Sequence, residues 1–324
     1  MSVLSKKYFH DEAEAFTYLE SIIWSGGVVC PHCGVVDGKV YDLESVRGSK
    51  SKKNPEGAIR HGLKKCGECR KQFTVKVGTV FEHSRIPLHK MLQAVYLMTS
   101  SKKGISSHQL HRVLEITYKS AWFLTHRIRE AMRDGNMDMF GGEGGEVQAD
   151  ETYYGTKEGV TKGKRARGWG HKMRIVSLLD KRTGRTRSIH TPDLAAGQVA
   201  QIVRDNVERE SHLVTDEARF YIKVGKEFEG HTKVFHGAGN YVNEGRTTND
   251  IEGYFSIFKR GMRGVYQHCR EKHLHRYLAE FDFRYSNRSA LEVNDAVRSE
   301  IALSGIIGKR LTYRSTGSRV EASA

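Results

Sequence analysis

The chain lacks the features of a membrane or secreted protein. No segment approaches the roughly eighteen consecutive apolar residues that a membrane-spanning helix needs, so the sequence predicts no span. The N-terminal sequence MSVLSKKYFHDEAEAF has no apolar secretory core, so we expect the protein to stay inside the cell. Internal repeats and long low-complexity runs are also absent.

Acidic residues are in deficit. The chain has 38 Asp and Glu against 53 Lys and Arg, which gives a net charge of +15 at pH 7 and a pI of about 9.5. A surplus of that size indicates a polyanionic partner, although a basic surface that is only solvated would have the same composition. The length of 324 residues favours two domains over one and allows a large core.

Cysteine is scarce, and its spacing is informative. Four of the five cysteines form two Cys-x-x-Cys pairs, Cys30 with Cys33 and Cys66 with Cys69. Two such pairs supply the four thiolates of a closed tetrahedral Zn²⁺ site, so we expect one structural zinc ion rather than a disulfide framework. A reactive thiol pair is the alternative, but a redox motif would not need a second copy. Cys269 has no cysteine neighbour in the sequence.

The two cysteine pairs are 32 residues apart, which is long for a compact zinc ribbon. Residues 46–65 account for most of the excess and carry seven Lys or Arg and one Glu. We interpret this stretch as a mobile basic loop whose lysines contact DNA phosphates. A ribbon that serves only structure or protein contacts is the alternative, because charge runs are often merely solvated. The candidate DNA-binding residues are Lys52, Lys53, Lys64 and Lys65.

Residues 87–134 have the periodicity of amphipathic helices. A short helix is followed by a longer one that Thr117 caps, and the polar side of the longer helix includes Lys119, His126 and Arg127. This order favours a helix-turn-helix-like segment with an exposed basic face that lies along the DNA major groove. A plain helical hairpin that packs on its neighbours explains the pattern equally well.

A glycine-rich joint at residues 141–145 precedes a change of pattern. Strands and helices then alternate, which predicts a mixed α/β domain. The predicted strands are 146–154, 171–180, 185–192, 211–215 and 231–236, and the predicted helices are 195–209, 248–261 and 272–285.

Three carboxylates on separate predicted elements stand out in this second part. Asp150 lies in a strand, Asp216 follows another, and Glu252 opens a helix. Brought together by folding, three acids can hold two divalent metal ions about 4 Å apart, which suits in-line phosphodiester chemistry. Successive strand residues point to opposite faces, so periodicity alone does not choose between these acids and their neighbours Glu151 and Glu217.

The Glu252 helix carries further candidate residues. Lys259 lies seven positions later on the same face, where a cation can position a DNA phosphate near the metal ions. Arg263 continues that face. Asn249, one turn before Glu252, is a second candidate for orienting or supplying a ligand.

These motifs together resemble those of bacterial insertion-sequence DDE transposases of the ISXO-like group, which have an N-terminal zinc ribbon. The resemblance rests on CPHCG, GGEVQADETYYG, VTDEARFY, TTNDIEGYFSIFKRGMRGVYQH and KHLHRYLAEFDFRYSNR. It implies an α+β, mixed α/β architecture in which a ribonuclease H-like catalytic domain follows the ribbon and the helical segment. The expected domains are a zinc ribbon with an N-terminal helix at 1–82, the helical segment at 83–140, the catalytic domain at 141–290 and a tail at 291–324.

The resemblance also implies an activity and the residues that carry it. Asp150 and Asp216 take the roles of metal ligands for two Mg²⁺ or Mn²⁺ ions, Glu252 takes the third, and Lys259 takes the basic position that follows. The implied function is a DNA transposase that binds terminal inverted repeats and catalyses strand cleavage and strand transfer, at least as a homodimer on double-stranded DNA in the bacterial nucleoid. The alternatives are an inactive DNA-binding regulator and a nuclease that cuts without joining.

The chain departs from the family pattern in two places, the long loop of the ribbon and a basic hairpin. Residues 155–172 form a long basic hairpin with six Lys or Arg and one Glu beside the Asp150 strand. We expect Lys164, Arg165 and Arg167 to contact DNA. Trp169 either stacks on an exposed base or, as is more usual, anchors the hairpin to the core.

Overall fold

The structure is a computed structural model that describes residues 2–36, 38–50, 52, 54–135, 138–160, 170–235 and 242–312. The chain divides into two compact units. The first comprises Met1–Ser100, Ser107–Ala131 and Ser299–Ala324, and the second comprises Ser101–Ser106 and Met132–Arg298. In the described residues no helix has both the length and the apolar character that crossing a membrane requires.

The first unit opens with two short 3-10 turns and helix α1 (Glu12–Ile23). The Asp11 carboxylate caps α1 by accepting a hydrogen bond from the Glu14 backbone N–H at 2.9 Å. Ala15, Phe16 and Leu19 follow the helical repeat and are buried. The predicted N-terminal helix therefore forms where the capping residue and the apolar stripe coincide.

A small antiparallel sheet carries the cysteine pairs. Its strands are β1 (Val40–Asp42), β2 (Lys64–Cys66) and β3 (Gln72–Phe73), in the order β1-β2-β3. Among the described residues, the buried members of the core beneath the sheet are Cys30, Cys66 and Phe73. So thin a core needs a metal ion to be stable.

Three further helices follow the ribbon along the chain: α2 (Leu88–Ser100), α3 (Ser107–Leu114) and α4 (Tyr118–Met132). The Thr117 hydroxyl accepts a hydrogen bond from the Ser120 backbone N–H at 3.2 Å, so Thr117 begins the longer helix as predicted. The short helix and the longer helix of the predicted helix-turn-helix-like segment are both present.

The face of α4 differs from the prediction. Every residue from 124 to 132 is buried, and His126 and Arg127 are 1% and 8% exposed. The expected exposed basic face is therefore wrong for these two positions, and the exposed residues of the helix are the first two, Tyr118 and Lys119. Helical periodicity identified one apolar stripe, but the C-terminal half of α4 is covered on all sides.

The second unit contains a five-stranded mixed sheet in the order β6-β5-β4-β7-β8. Strand β4 is central, antiparallel to β5 and parallel to β7, while β5–β6 pair antiparallel and β7–β8 pair parallel. This arrangement confirms the predicted mixed α/β class. The strands are β4 (Glu146–Tyr154), β5 (Met173–Asp180), β6 (Thr186–Thr191), β7 (His212–Thr215) and β8 (Gly230–Lys233).

Helices cover both faces of this sheet. On one face Val147 and Ala149 of β4 pack in a core with α5 (Ala196–Asn206) and α6 (Tyr221–Gly225). On the other, Tyr154 packs with α7 (Asn249–Gly261) and α8 (Leu274–Ser286). A π-helical turn at Met262–Tyr266 extends α7, and α9 (Asp295–Ser304) returns the chain to the first unit. Odd and even positions of β4 therefore face different helix pairs.

Candidate active site and zinc site

The acidic site lies where strand β7 ends beside β4. The parallel register pairs Ala149 with Thr215, the last residue of β7. The next residue on each strand is an acid, Asp150 and Asp216, so register alone brings the two side by side. Glu151 is the next residue of β4. It lies at the same opening in the sheet, which is the gap beside β4 where β7 ends.

Asp150, Glu151 and Asp216 form a compact carboxylate cluster. Each offers one carboxylate oxygen, and these oxygens all lie within 4.8 Å of one another. The Asp150 Oδ1 accepts a hydrogen bond from the Glu151 N–H at 2.7 Å, and the Asp216 Oδ1 accepts one from the Ala218 N–H at 3.0 Å. These backbone donors fix the two aspartates in place.

The electrostatics of the carboxylate cluster favour the binding of a cation. Burial, followed by the charges of Glu151 and Asp216, raises the pKa of Asp150 well above its usual value. Burial and the Asp216 charge raise the pKa of Glu151 to about 7. Three partly buried carboxylates repel one another unless a positive charge lies between them, and hard divalent cations prefer such oxygen ligands. Among the described residues Glu151 Oε2 is buried without a hydrogen-bond partner, which also fits a metal ligand.

Tyr221 packs beside the cluster and was not singled out from the sequence. It is fully buried, and its hydroxyl lies beside the Glu151 carboxylate. Burial and then the charges of Glu151, Asp150 and Asp216 raise the pKa of the Tyr221 hydroxyl well above its usual value. The Tyr221 hydroxyl therefore stays protonated and uncharged beside the three acids. No signal in the sequence marks it, because it lies in a five-residue helix with no motif of its own.

Of the predicted trio, the structure brings Asp150 and Asp216 together and leaves Glu252 outside the compact cluster. Glu252 is exposed in the first turn of α7, and its Oε1 accepts a hydrogen bond from the Thr248 hydroxyl at 3.2 Å. Its charge still reaches Asp150 and contributes to the raised pKa of that residue. Glu151, the neighbour that periodicity could not exclude, takes the third place in the cluster.

Gln148 links strand β4 to the start of α7. Its side chain is completely buried, its Nε2 donates to Asp250 Oδ2 at 3.0 Å, and its Oε1 accepts from the Ile251 N–H at 3.1 Å. Gln148 lies on the Asp150 face of β4, and Ile251 precedes Glu252. These two bonds hold the Glu252 helix against the strand that carries Asp150. The sequence pattern placed Gln148 on this face without indicating a partner.

The basic residues of α7 lie beyond Glu252. Lys259 is half-buried; burial lowers the pKa of its amine, Asp150 raises it and Arg263 lowers it, so Lys259 is within electrostatic reach of both. Its Nζ lies 5.8 Å from the centre of the Phe255 ring. Arg263 is exposed in the π-helical turn. Asn249, the first residue of α7, is exposed, and its backbone N–H donates to the Thr247 hydroxyl.

The four paired cysteines converge as the spacing predicts. Their sulfur atoms lie within 4.8 Å of one another, with Cys30 and Cys69 3.7 Å apart and Cys33 and Cys66 3.8 Å apart. Ligands of a tetrahedral zinc ion with bonds of about 2.3 Å are about 3.8 Å apart, whereas a disulfide bond is about 2.05 Å long. The geometry therefore fits one Zn²⁺ ion and no disulfide.

The chemistry of Cys30 agrees with a metal-binding thiolate. Burial raises the pKa of the Cys30 thiol, but the backbone N–H groups of Cys33 and His32 and the neighbouring thiols outweigh burial and lower this pKa to about 6. A thiol that ionises near neutral pH is ready to bind zinc.

The predicted DNA contacts in the ribbon differ in their surroundings. Lys52 is exposed and Lys65 is half-buried. Lys64 pairs with Asp42 at 2.6 Å and with Glu20 at 3.2 Å, so two carboxylates already balance its charge. Each of these contacts stays a prediction. Other predicted positions lie outside the described residues, namely Lys53, Lys164, Arg165, Arg167 and Trp169.

Similar proteins are found for both parts of the chain. Residues 143–286 match the family of the ISXO2-like transposase domain, and residues 10–72 match the transposase zinc-ribbon domain. The chain is 27% identical over 284 residues to an uncharacterized protein in transposable element ISH50 of Halobacterium salinarum, which covers 80% of this chain and 87% of the relative.

Among solved structures, a simian T-cell lymphotropic virus intasome in complex with PP2A regulatory subunit B56 gamma is similar over 53% of this chain, at 13% identity and a TM-score of 0.28. The match covers 63% of that chain, less than two thirds of its length. The two family matches confirm the resemblance seen in the sequence: the chain carries an ISXO2-like transposase domain over residues 143–286 and a transposase zinc-ribbon domain over residues 10–72.

Proposed function

We propose that this DNA transposase binds the terminal inverted repeats of an insertion sequence, cleaves DNA at the element ends and joins the freed ends to target DNA. The observation that carries the proposal is the cluster of Asp150, Glu151 and Asp216 at the opening between β4 and β7. The family match supports the reaction class, because the matched residues 143–286 include all three acids.

Asp150 and Asp216 would hold the divalent ions, with Glu151 and Glu252 as the candidates for the remaining carboxylate. Bound Mg²⁺ or Mn²⁺ supplies Lewis-acid stabilisation of the charge that develops on the phosphate oxygens. The chain's contribution is to fix these carboxylates by backbone hydrogen bonds and to seal the site behind them with Tyr221.

The first step is hydrolysis at the element end. Water attacks the phosphorus, the bond to the 3′ oxygen breaks, and that oxygen takes up a proton to become a 3′-hydroxyl. In the second step the 3′-hydroxyl loses its proton and attacks a target phosphodiester in the same site, the bond to the target strand's 3′ oxygen breaks, and that oxygen takes up a proton. The Lys259 ammonium would contact a nonbridging phosphate oxygen in both steps, which stabilises the transition state.

The first unit would recognise DNA. A Zn²⁺ ion held by Cys30, Cys33, Cys66 and Cys69 would maintain the ribbon, and the ribbon and the α3–α4 segment would contact the terminal repeats. Joining two ends to one target requires two active sites, so we propose at least a homodimer on double-stranded DNA.

A cleavage and joining assay tests the proposal. The substrate is duplex DNA that carries the element's own ends, incubated with Mg²⁺ or Mn²⁺ and with wild type, Asp216→Asn or Glu252→Gln. End-specific cuts with 3′-hydroxyls and joined products, both lost in Asp216→Asn with DNA binding retained, support the transposase. Cuts without joining support a nuclease, and binding without cuts supports a regulator.

A further inference from the structure

A cleft in the first unit is lined in part by two arginines, Arg127 and Arg310. The cleft has a volume of about 230 Å³ and lies between the residues that follow the ribbon, helix α4 and residues 310–312. Thr79, Glu82, Phe123, Arg127 and Arg310 are among the residues that line it. All of them belong to the first unit.

Arg127 is the buried member of the pair. Its side chain is 8% exposed, and its guanidinium lies 4.8 Å from the centre of the Phe123 ring. Within the described residues the Arg127 Nε is buried with no hydrogen-bond partner. Buried guanidinium groups are ordinarily paired, because an isolated charge loses its hydration without compensation.

The surrounding groups do not neutralise the positive charges of Arg127 and Arg310. Burial lowers the pKa of the Arg127 guanidinium, the nearby Arg310 charge lowers it further, and Glu82 opposes this. The Glu82 carboxylate is already engaged, since Oε1 lies 3.2 Å from His83 Nε2 and Oε2 accepts from the Gly78 N–H at 3.4 Å. Two cations therefore share a cleft with one carboxylate that has other partners.

We propose that this cleft binds a phosphodiester group of the DNA backbone through Arg127 and Arg310. Guanidinium groups present paired N–H donors that match the oxygens of a phosphate, and the Phe123 ring keeps the Arg127 plane in a set orientation. A net charge of +15 and the transposase family favour DNA as the source of the phosphate. The DNA source rests on the proposed function, whereas the anion site rests on the two arginines alone.

The first test measures duplex DNA affinity by fluorescence anisotropy at several salt concentrations, with zinc retained and no added Mg²⁺. Arg310→Gln should weaken binding about tenfold and reduce the slope of log K against log salt by about 0.9, the value for one lost phosphate contact. The matched control is Arg85→Gln, an exposed arginine outside the cleft. Equal affinity and equal slope for both variants would overturn the proposal.

The second test uses sulfate as the probe and thermal unfolding as the readout, so it does not depend on activity. At equal ionic strength sodium sulfate should stabilise the wild type more than sodium chloride does, and Arg310→Gln should lose the difference. Arg127→Met should raise the melting temperature without sulfate, because it removes an uncompensated buried charge. A fall in that temperature would show that Arg127 is paired in the free protein, which overturns the proposal.

The two sources of the anion separate cleanly. Sulfate stabilisation that depends on Arg310, with an unchanged DNA salt slope, would assign the cleft to a free oxyanion and overturn the DNA assignment. If Arg310→Gln reduces the salt slope but the wild type fails to cut element ends, the phosphate site in the cleft is supported. The proposed catalytic function is then contradicted instead.

Discussion

At the scale of single residues, Glu151 and Glu217 are equivalent in the sequence and different in the structure. Each follows an aspartate at the same opening, but Glu151 is partly buried within the carboxylate cluster and Glu217 is exposed outside it. Strand alternation turns Glu151 toward Tyr221, and the end of β7 at Thr215 leaves room for its carboxylate beside Asp216.

This difference predicts unequal effects of two matched substitutions. Glu151→Gln should lower the rate of DNA cleavage about ten- to hundredfold, since it removes a charge that holds or orients the metal ions. Glu217→Gln should leave the rate within about twofold of wild type. Single-turnover cleavage at saturating Mg²⁺ measures both. Equal rates for the two variants would exclude Glu151 from the site.

A second residue-scale prediction concerns Asp282, which is half-buried in the second unit. It accepts hydrogen bonds from the Tyr254 hydroxyl at 2.6 Å and from the Ser188 hydroxyl and N–H at 2.7 and 2.9 Å. Burial raises the pKa of Asp282 to about 7 although these bonds lower it. The unfolded carboxyl ionises near about 3.9, so the folded protein binds more protons between these two values. The stability that this proton uptake contributes is full below about pH 4 and is lost as pH rises through about 7.

The slope of this loss is at most about 1.4 kcal/mol per pH unit. Asp282→Asn removes the titrating group. The hydroxyl partners can rotate to accept hydrogen bonds from the new amide instead of donating them, so the variant should lack this component of the pH dependence. Urea unfolding at pH 5, 6, 7 and 8 compares the two proteins. If the difference in unfolding free energy between them does not change with pH, Asp282 does not titrate with a raised pKa.

At the scale of elements, Gln148 connects the central strand to the helix that carries Glu252. A buried amide that bonds both Asp250 and the Ile251 N–H sets where α7 begins relative to β4. Because the helix is held at its first turn, a small loss of anchorage there displaces Glu252 directly. Gln148 itself does not belong to the carboxylate cluster, so its role in catalysis would be that of a positioning residue.

Gln148→Met should therefore lower the cleavage rate about tenfold or more and raise the Mg²⁺ concentration needed for half-maximal rate, while DNA affinity changes little. A merely structural role would reduce the folded fraction without shifting the Mg²⁺ dependence. The matched control is Gln201→Met in α5, where the side chain bonds Asp205 on the exposed side. An unchanged Mg²⁺ dependence in a folded Gln148→Met protein would contradict the positioning role.

At the scale of the whole molecule, the two units depend on different sources of stability. The second unit has two large apolar cores on either side of its sheet, whereas in the described part of the ribbon the core contains three buried residues, of which two are cysteines. Removal of zinc should therefore unfold the ribbon and weaken recognition of DNA ends while the second unit stays folded.

Hydrogen exchange before and after treatment with a zinc chelator tests this expectation. Protection of β1–β3 should be lost, and protection of β4, β5 and α7 should persist. Addition of Zn²⁺ should restore the ribbon, which controls for irreversible damage. Uniform loss of protection along the chain would show that the units do not unfold separately.

The sequence by itself determined the features that depend on local spacing. The Cys-x-x-Cys pairs are turns whose thiolates converge wherever the ribbon folds, and the four sulfur atoms have tetrahedral spacing. Periodicity of two and of about 3.6 located strands β4–β8 and helices α5, α7 and α8 close to their observed bounds, whereas the short helix α6 and helix α9 were not predicted. Family motifs then predicted that Asp150 and Asp216 act together, and the register of β4 and β7 places them side by side.

Only the tertiary structure decided which neighbours complete each site. Glu151 joins the cluster beside the end of β7, and Glu252 lies outside it in the first turn of α7, which Gln148 holds against β4. Arg127 is buried although its helical position predicted exposure. In each case the outcome depends on packing between segments far apart in the chain, and a local pattern describes the residue's own element but carries no information about what covers it.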